Sequence, residues 1–184
     1  NIIANSKIKK INLKKVDIIK NIQQHKFNDY DLVTGSAFLD IMPFNWFKKF
    51  YLKNKNTKLV YFSINYDGYF KFYPQHKLDR DILELFNDDQ KSKKNNKTNA
   101  VGPDCSEIIK SYFLETHKCY LFNSNWSNVK NKNFQLMFLD FCESIILKNK
   151  KTNLLDWLEF RKHNVINNKS KLSVNNKDFL AIKI

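Results

Sequence analysis

Glycine and proline are scarce in this chain, three of each in 184 residues. That excludes collagen-like and linker-rich chains. Gly35, Gly68 and Gly102 are far apart, so neither a P-loop nor a G-x-G-x-x-G segment is present. Arginine is scarcer still: among 32 basic residues only Arg80 and Arg161 are arginine. No apolar run approaches the roughly 18 residues of a membrane helix. Cysteine is limited to Cys105, Cys119 and Cys142, an odd number without C-x-x-C spacing. This excludes a disulfide framework and a zinc ribbon and points to buried thiols in a reducing, cytoplasmic setting. The four histidines are scattered, so no metal is assigned. H-E-x-x-H and G-x-S-x-G are absent as well. No signal-peptide pattern opens the chain, which begins at Asn1, as a processed or truncated start would.

What is present is apolar and basic. Hydrophobic residues make up 42% and aromatics 15%, enough for one domain with a core and too much for disorder throughout. The net charge of +14 makes nucleic acid or an anionic surface the first partner to consider. Its makeup argues against that reading. Phosphate-gripping proteins lean on the arginine fork, and here lysine dominates. Lysine, asparagine and isoleucine share A/T-only codons, so genome bias gives the same composition. The basic residues are also dispersed, the densest run being Lys91 to Lys97.

Periodicity predicts alternating strands and helices, hence an α/β sheet. Residues 7–19 read as a strand turning into a short helix. Asp31 to Thr34 reads as a strand stopped by Gly35-Ser36. Residues 44–52 have helical spacing. Residues 58–66 look like a strand buried on both faces, with Asp67-Gly68 turning into a return strand over Tyr69 to Tyr73. Leu78, Ile82, Leu85 and Phe86 form a helical stripe. Asp104-Cys105-Ser106-Glu107 resembles a capping box opening the next helix. Lys118 to Asn123 is a strand candidate. Phe134, Met137, Phe138, Phe141 and Ile145 mark another helix, Asn153 caps one reaching Arg161, and Asp178 to Ile184 is a terminal strand. Residues 91–102 read as an internal flexible loop inside a single domain, and no repeat is present.

In open α/β sheets ligands bind outside the carboxyl ends of the strands. That directs attention to Asp17, to Thr34-Gly35-Ser36 and to Asn65 through Gly68. Gly35 either allows close approach to a ligand or simply ends a strand. Asp40 is either a helix-flanking residue or a carboxylate facing a cleft. Asn87 through Gln90 either bind a polar substrate or end a helix. Trp126 is a pocket-lining, lid or core residue.

The stretch DLVTGSAFLD, Asp31 to Asp40, resembles the fourth-strand region of class I S-adenosylmethionine-dependent methyltransferases. It is closest to a bacterial group reading roughly D-L-V-T-A-S-A-L-L-D. Further segments fit in order: NYDG at Asn65 to Gly68, N-x-x-Q at Asn87 to Gln90, GPD at Gly102 to Asp104, SNW at Ser124 to Trp126, and NKDFLAI at Asn176 to Ile182. Asp88-Asp89 departs from the group, which tends to carry a histidine before the glutamine. The family's glycine-rich cofactor loop and its second-strand acidic residue have no counterpart here. The resemblance therefore implies a Rossmann-like sheet with helices on both faces, N-terminally truncated, with this chain a fragment inactive alone and a weak binder of the cofactor.

The same resemblance implies S-adenosylmethionine as cofactor and methyl transfer to a small-molecule acceptor. Asp17 matches the acidic residue that meets the adenine amine. Thr34, Gly35 and Ser36 match the turn along the methionine part. Tyr66, Asp67, Asn87 and Gln90 fall on the acceptor side, with Asp40 as candidate base if one is used. The family's strands run in the order three, two, one, four, five, seven, six. Loss of one and two would leave Asp31 to Thr34 at a sheet edge and residues 1–20 loosely attached or abnormally paired. The alternatives are a basic nucleic-acid-binding domain without catalytic activity, and a catalytically dead scaffold working by protein contacts.

Overall fold

The computed structural model describes residues 13–24, 30–92, 94–95 and 98–184. The elements in chain order are β1 (Leu32–Ser36), α1 (Phe44–Asn54), β2 (Leu59–Tyr73), α2 (Asp79–Ser92), β3 (Lys94–Asn95), β4 (Thr98–Asn99), α3 (Cys105–Phe113), β5 (His117–Asn123), β6 (Trp126–Val129), α4 (Lys132–Lys148), α5 (Leu155–Ile166) and β7 (Lys171–Lys183). A mixed sheet runs β1-β2-β7-β5, with β6 also paired to β7. β1 is parallel to β2, and β7 is antiparallel to β2, β5 and β6. The fold is α/β, and β1 forms one edge of the described sheet.

β7 decides how the layers are arranged. Two register shifts separate β2 from β7, between Phe62 and Asn65 and between Tyr66 and Phe70, and both place the extra residues in β2. β7 therefore alternates without interruption. Its even positions Leu172 and Val174 enter one core with Phe70, Phe72, Phe86, Leu139 and Trp157, built by α2, α4 and α5. Its odd positions Phe179 and Ala181 enter another with Val60, Phe62, Trp46, Phe50 and Phe113, built by α1 and α3. Helices thus cover opposite faces at opposite ends of one sheet. Each face keeps an uncovered half among the described residues. One half carries Leu59, Ile182 and Phe122, all exposed.

Several expectations are met. α1 forms over the expected residues and buries Phe47 and Phe50, together with Trp46, while Phe44 stays exposed. α2 buries Ile82 and Phe86, β5 contains the strand candidate Lys118 to Asn123, and β7 covers Asp178 to Lys183 but begins already at Lys171. Others are corrected. β1 continues through Gly35 and Ser36, which pair with Phe62 and Ser63. Asp67-Gly68 is no hairpin turn: β2 is one strand, because β7 is long enough to pair on both sides of the bulge that holds them. β2 is also not buried on both faces, since each face is covered over only part of its length. Asp104 does not cap α3; it ends a 3-10 turn, Gly102–Asp104, and pairs with Lys91 at 2.9 Å. Asn153 lies inside the 3-10 turn Thr152–Leu154, and α5 starts at Leu155. α4 buries Gln135, Leu139, Cys142, Ile145 and Ile146, so Met137 and Phe141 of the expected stripe stay exposed.

The opening segment falls largely on residues 1–12, outside the described residues. Residues 13–17 form no regular element, and Ile22–Gln24 is a 3-10 turn. Residues 18–22 are anchored: Ile22 is buried, and Trp46 Nε1 donates to the Ile18 carbonyl at 3.2 Å. Within the expected loop at 91–102, β3 pairs with β4, Pro43 bridges to Ala100, and the Val101 amide donates to Met42. Positions 93, 96 and 97 lie outside the described residues. Among those residues, no helix is long and apolar enough to cross a membrane.

His117 opens β5 in the core, where Nε2 meets the Thr57 carbonyl at 2.9 Å and Nδ1 meets Thr116 Oγ1 at 2.8 Å. This pattern assigns the neutral ring, with Nε2–H donating to the carbonyl. Burial lowers its pKa, outweighing the Thr57 bond, and Lys183 lowers it further. The unfolded chain then binds the extra proton first. Stability is therefore full above about pH 6.5 and declines as pH falls below that value. Urea unfolding between pH 7.5 and 5 is expected to show this slope, and His117→Gln to flatten it.

Candidate functional site

β2 outruns β1. The last β1 residue, Ser36, pairs with Ser63, and β2 then passes through both bulges beyond the end of its parallel neighbour. Asn65, fully buried, stitches the first bulge, its Nδ2 donating to the Phe62 and Lys177 carbonyls at 3.2 and 2.9 Å. At the second, Gly68 adopts φ +81°, a left-handed conformation natural to glycine. A Cβ there would sit 3.0 Å from Pro103 Cβ. The Gly102-Pro103 turn is therefore pressed against the bulge.

α2 closes this corner. Tyr66 Oη donates to Asn87 Oδ1 at 3.0 Å, and Asn87 Nδ2 donates to the Gly68 carbonyl at 2.8 Å. Asn87 so reads both ends of the second bulge. Asp67 pairs with Lys177 at 3.1 Å. Burial, and after it the nearby Cys142, Asp67 and Asp40, push the Tyr66 phenol above its ordinary value, so it remains a protonated donor. Burial pushes the Cys105 thiol up to about 12, with Asp40 adding to the rise, so Cys105 is an unreactive core thiol. Asp40, Tyr66, Asp67 and Asn87 thus share one neighbourhood around the Gly68 bulge. Gln90 is buried one helical turn further along α2, next to Asp89, whose carboxylate Lys148 meets at 2.5 Å.

The residues expected on the cofactor side lie elsewhere, on β1 and, for Asp17, in the irregular segment before it. Thr34 and Ser36 are exposed on β1. Gly35 is a packing glycine: a Cβ would lie 2.3 Å from Phe38 Cε1 and 2.7 Å from Phe62 Cε1. Asp17 is exposed; its Oδ1 accepts from the Ile19 and Lys20 amides at 3.1 Å each. The Lys20 amide does most to hold its carboxyl below the usual range. Trp126 stands edge-on to Phe134 on β6.

Sequence reasoning missed Asp178. Its carboxylate accepts from Tyr61 Oη at 2.6 Å, Ser124 Oγ at 2.5 Å and the Ile64 amide at 2.9 Å. Partial burial works against the charge, but the three bonds outweigh it and hold the carboxyl below its ordinary value. Ile64 has φ +56°, so Asp178 locks a left-handed residue at the first bulge. A lone acidic residue in an apolar terminal strand was the available signal.

No family model matches the chain, and no curated protein matches it.

Proposed function

We propose that the chain serves S-adenosylmethionine-dependent methyl transfer to a small-molecule acceptor. The observation that carries this reading is the strand order. β1 and β2 are parallel, β7 is inserted antiparallel, and β5 lies beyond it. That is the order four, five, seven, six that the resemblance implies, with DLVTGSAFLD on the strand in the fourth place. The corner built from Asn65 to Gly68, Asn87 and Pro103 also brings together segments that carry the resemblance.

The residues present fit part of the cofactor. Asp17 offers an exposed carboxylate to an exocyclic amine. Thr34 and Ser36 offer exposed hydroxyls along the amino-acid part. Gly35 leaves no empty cradle, since its missing Cβ is filled by Phe38 and Phe62. S-adenosylmethionine supplies a methyl group already activated on sulfonium, so the protein contributes orientation and proximity. On the acceptor side, Asn87 fixes the Tyr66 hydroxyl and the Gly68 carbonyl, with Asp67 beside them and Gln90 buried one turn further along α2. Asp40 is the candidate base if a proton has to be taken from an acceptor hydroxyl or amine.

With this few cofactor contacts, binding is weak. Calorimetry with S-adenosylhomocysteine is expected to show weak binding that Asp17→Ala weakens severalfold. Binding tighter than micromolar, or binding indifferent to that substitution, contradicts the assignment.

A further inference from the structure

From Tyr69, the last residue of the second bulge, β2 alternates strictly. Phe70 and Phe72 are buried, while Tyr69, Lys71 and Tyr73 point the other way and are exposed. Across the ladder, Lys71 stands opposite Ser173 and Tyr73 opposite Lys171. This is the odd-numbered face of β7, which α1 and α3 leave bare at this end. Its floor and walls form an open cleft of about 560 Å³, bounded on one side by Lys77 and Arg80 and on the other by Asn128. The Asn128 amide donates to Ser173 Oγ at 3.0 Å and holds β6 against this rim.

The charge in the cleft is one-sided. Lys71, Lys77, Arg80 and Lys171 line it, against one carboxylate, Asp79. Asp79 is committed elsewhere, accepting from Arg161 and from Trp157 Nε1. Arg80 meets Glu84 at 2.8 Å, but both are well exposed and the pair is exchangeable. Lys171 Nζ stands 5.9 Å from the Tyr73 ring centroid, a cation beside an exposed aromatic face. Four residues of strand put Tyr69 and Tyr73 about 13 Å apart with Lys71 between them. An exposed strand face with spaced aromatics and interleaved cations matches what single-stranded nucleic acid needs: rings for bases and ammonium groups for phosphates.

We infer that the Tyr69–Lys71–Tyr73 face, with Lys171, Lys77 and Arg80, binds a single strand of nucleic acid. The site extends away from the Gly68 corner: Tyr69 borders the bulge, Lys71, Tyr73 and Lys171 lie on the far ends of β2 and β7, and Lys77 and Arg80 lie at the start of α2, well before Asn87. It uses a local cluster and does not depend on the dispersed net charge.

Fluorescence anisotropy with a labelled 12-nucleotide oligo(U) tests it, with the same strand annealed to its complement and free UMP as competitors. The single strand is expected to bind, and duplex and UMP to compete poorly. Tyr73→Ala should weaken binding about tenfold. Lys71→Ala/Lys171→Ala should weaken it and flatten the slope of log affinity against log salt by about 1.4. The exposed pair on α1, Lys48→Ala/Lys49→Ala, should stay within about twofold of the parent protein. Circular dichroism melting checks that each variant is folded, and Tyr73→Phe, which keeps the ring, should retain affinity. Equal loss from the α1 pair, unchanged binding in the Tyr73→Ala and Lys71→Ala/Lys171→Ala variants, tighter binding of duplex, or no binding at low salt would each overturn the inference.

Discussion

Arg161→Ala is expected to destabilise the protein by about 3–5 kcal/mol, the usual cost of breaking a buried ion pair from one side. Arg161 is completely buried. Its guanidinium donates to the Pro74 carbonyl and to Asp79 Oδ1. It stands 5.3 to 5.5 Å from the Phe72, Trp157 and Phe160 rings. Truncation removes the cation, leaves the Pro74 carbonyl unpaired and opens a gap between three rings. Asp79 keeps its bonds from Trp157 Nε1 at 2.7 Å and the His76 amide at 2.9 Å, so its charge stays without a counterion. Against a typical domain stability of about 5–15 kcal/mol this is a large share. Arg161→Met restores apolar volume and is expected to cost less. Urea unfolding followed by tryptophan fluorescence measures both, and equal loss in the two variants would show that the ion pair is not the cause. The functional link runs through α2: Asp79 begins the helix that carries Asn87 and Gln90.

Gly35→Ala is expected to cost about 1–3 kcal/mol through overpacking, because the added methyl meets two aromatic rings that are themselves fixed. Phe38 stands edge-on to Trp46 at 5.7 Å and to Phe62 at 5.3 Å, so neither ring retreats freely. In a Phe38→Leu background the shorter side chain makes room, and the same substitution should cost distinctly less. A double-mutant cycle reads the difference. Additive costs would return Gly35 to a role in ligand approach.

Local pattern was legible where one element decided the outcome. The helix at Phe44 follows from its aromatic spacing, the strand after His117 from its apolar and aromatic run, and the second half of β7 from the apolar run after Asp178, while the first half of β7, Lys171 to Lys177, was not legible as strand. Asp67-Gly68 misled because a dipeptide fits both a turn and a bulge, and the length of β7, distant in sequence, chose between them. The α4 stripe misled because Met137 and Phe141 stay on the exposed side while Leu139 and Cys142 face the core, with Phe138 packed against Phe70, Phe72 and Phe86. The capping box at Asp104 failed because Lys91, on another element, takes that carboxylate. For the site, Asp40, Tyr66, Asp67 and Asn87 were chosen from scattered motifs, and the structure brings them together at one corner. The Tyr-x-Lys-x-Tyr alternation at 69–73 was readable as a half-exposed strand, but the expected turn at Gly68 concealed its continuity with β2.

On the proposed reading, the end of β1 and the Asp17 turn form the cofactor side of a methyltransferase cleft. Backbone amide NMR of the ¹⁵N-labelled chain, titrated with S-adenosylhomocysteine to millimolar concentration, tests this most directly. Shifts are expected only at residues around Asp17, at Thr34 through Ala37 and in the neighbourhood of Asp40, with Lys71, Tyr73 and Lys171 unmoved. Shifts that leave Asp17 and Thr34 to Ser36 untouched, or none at any concentration, would contradict it.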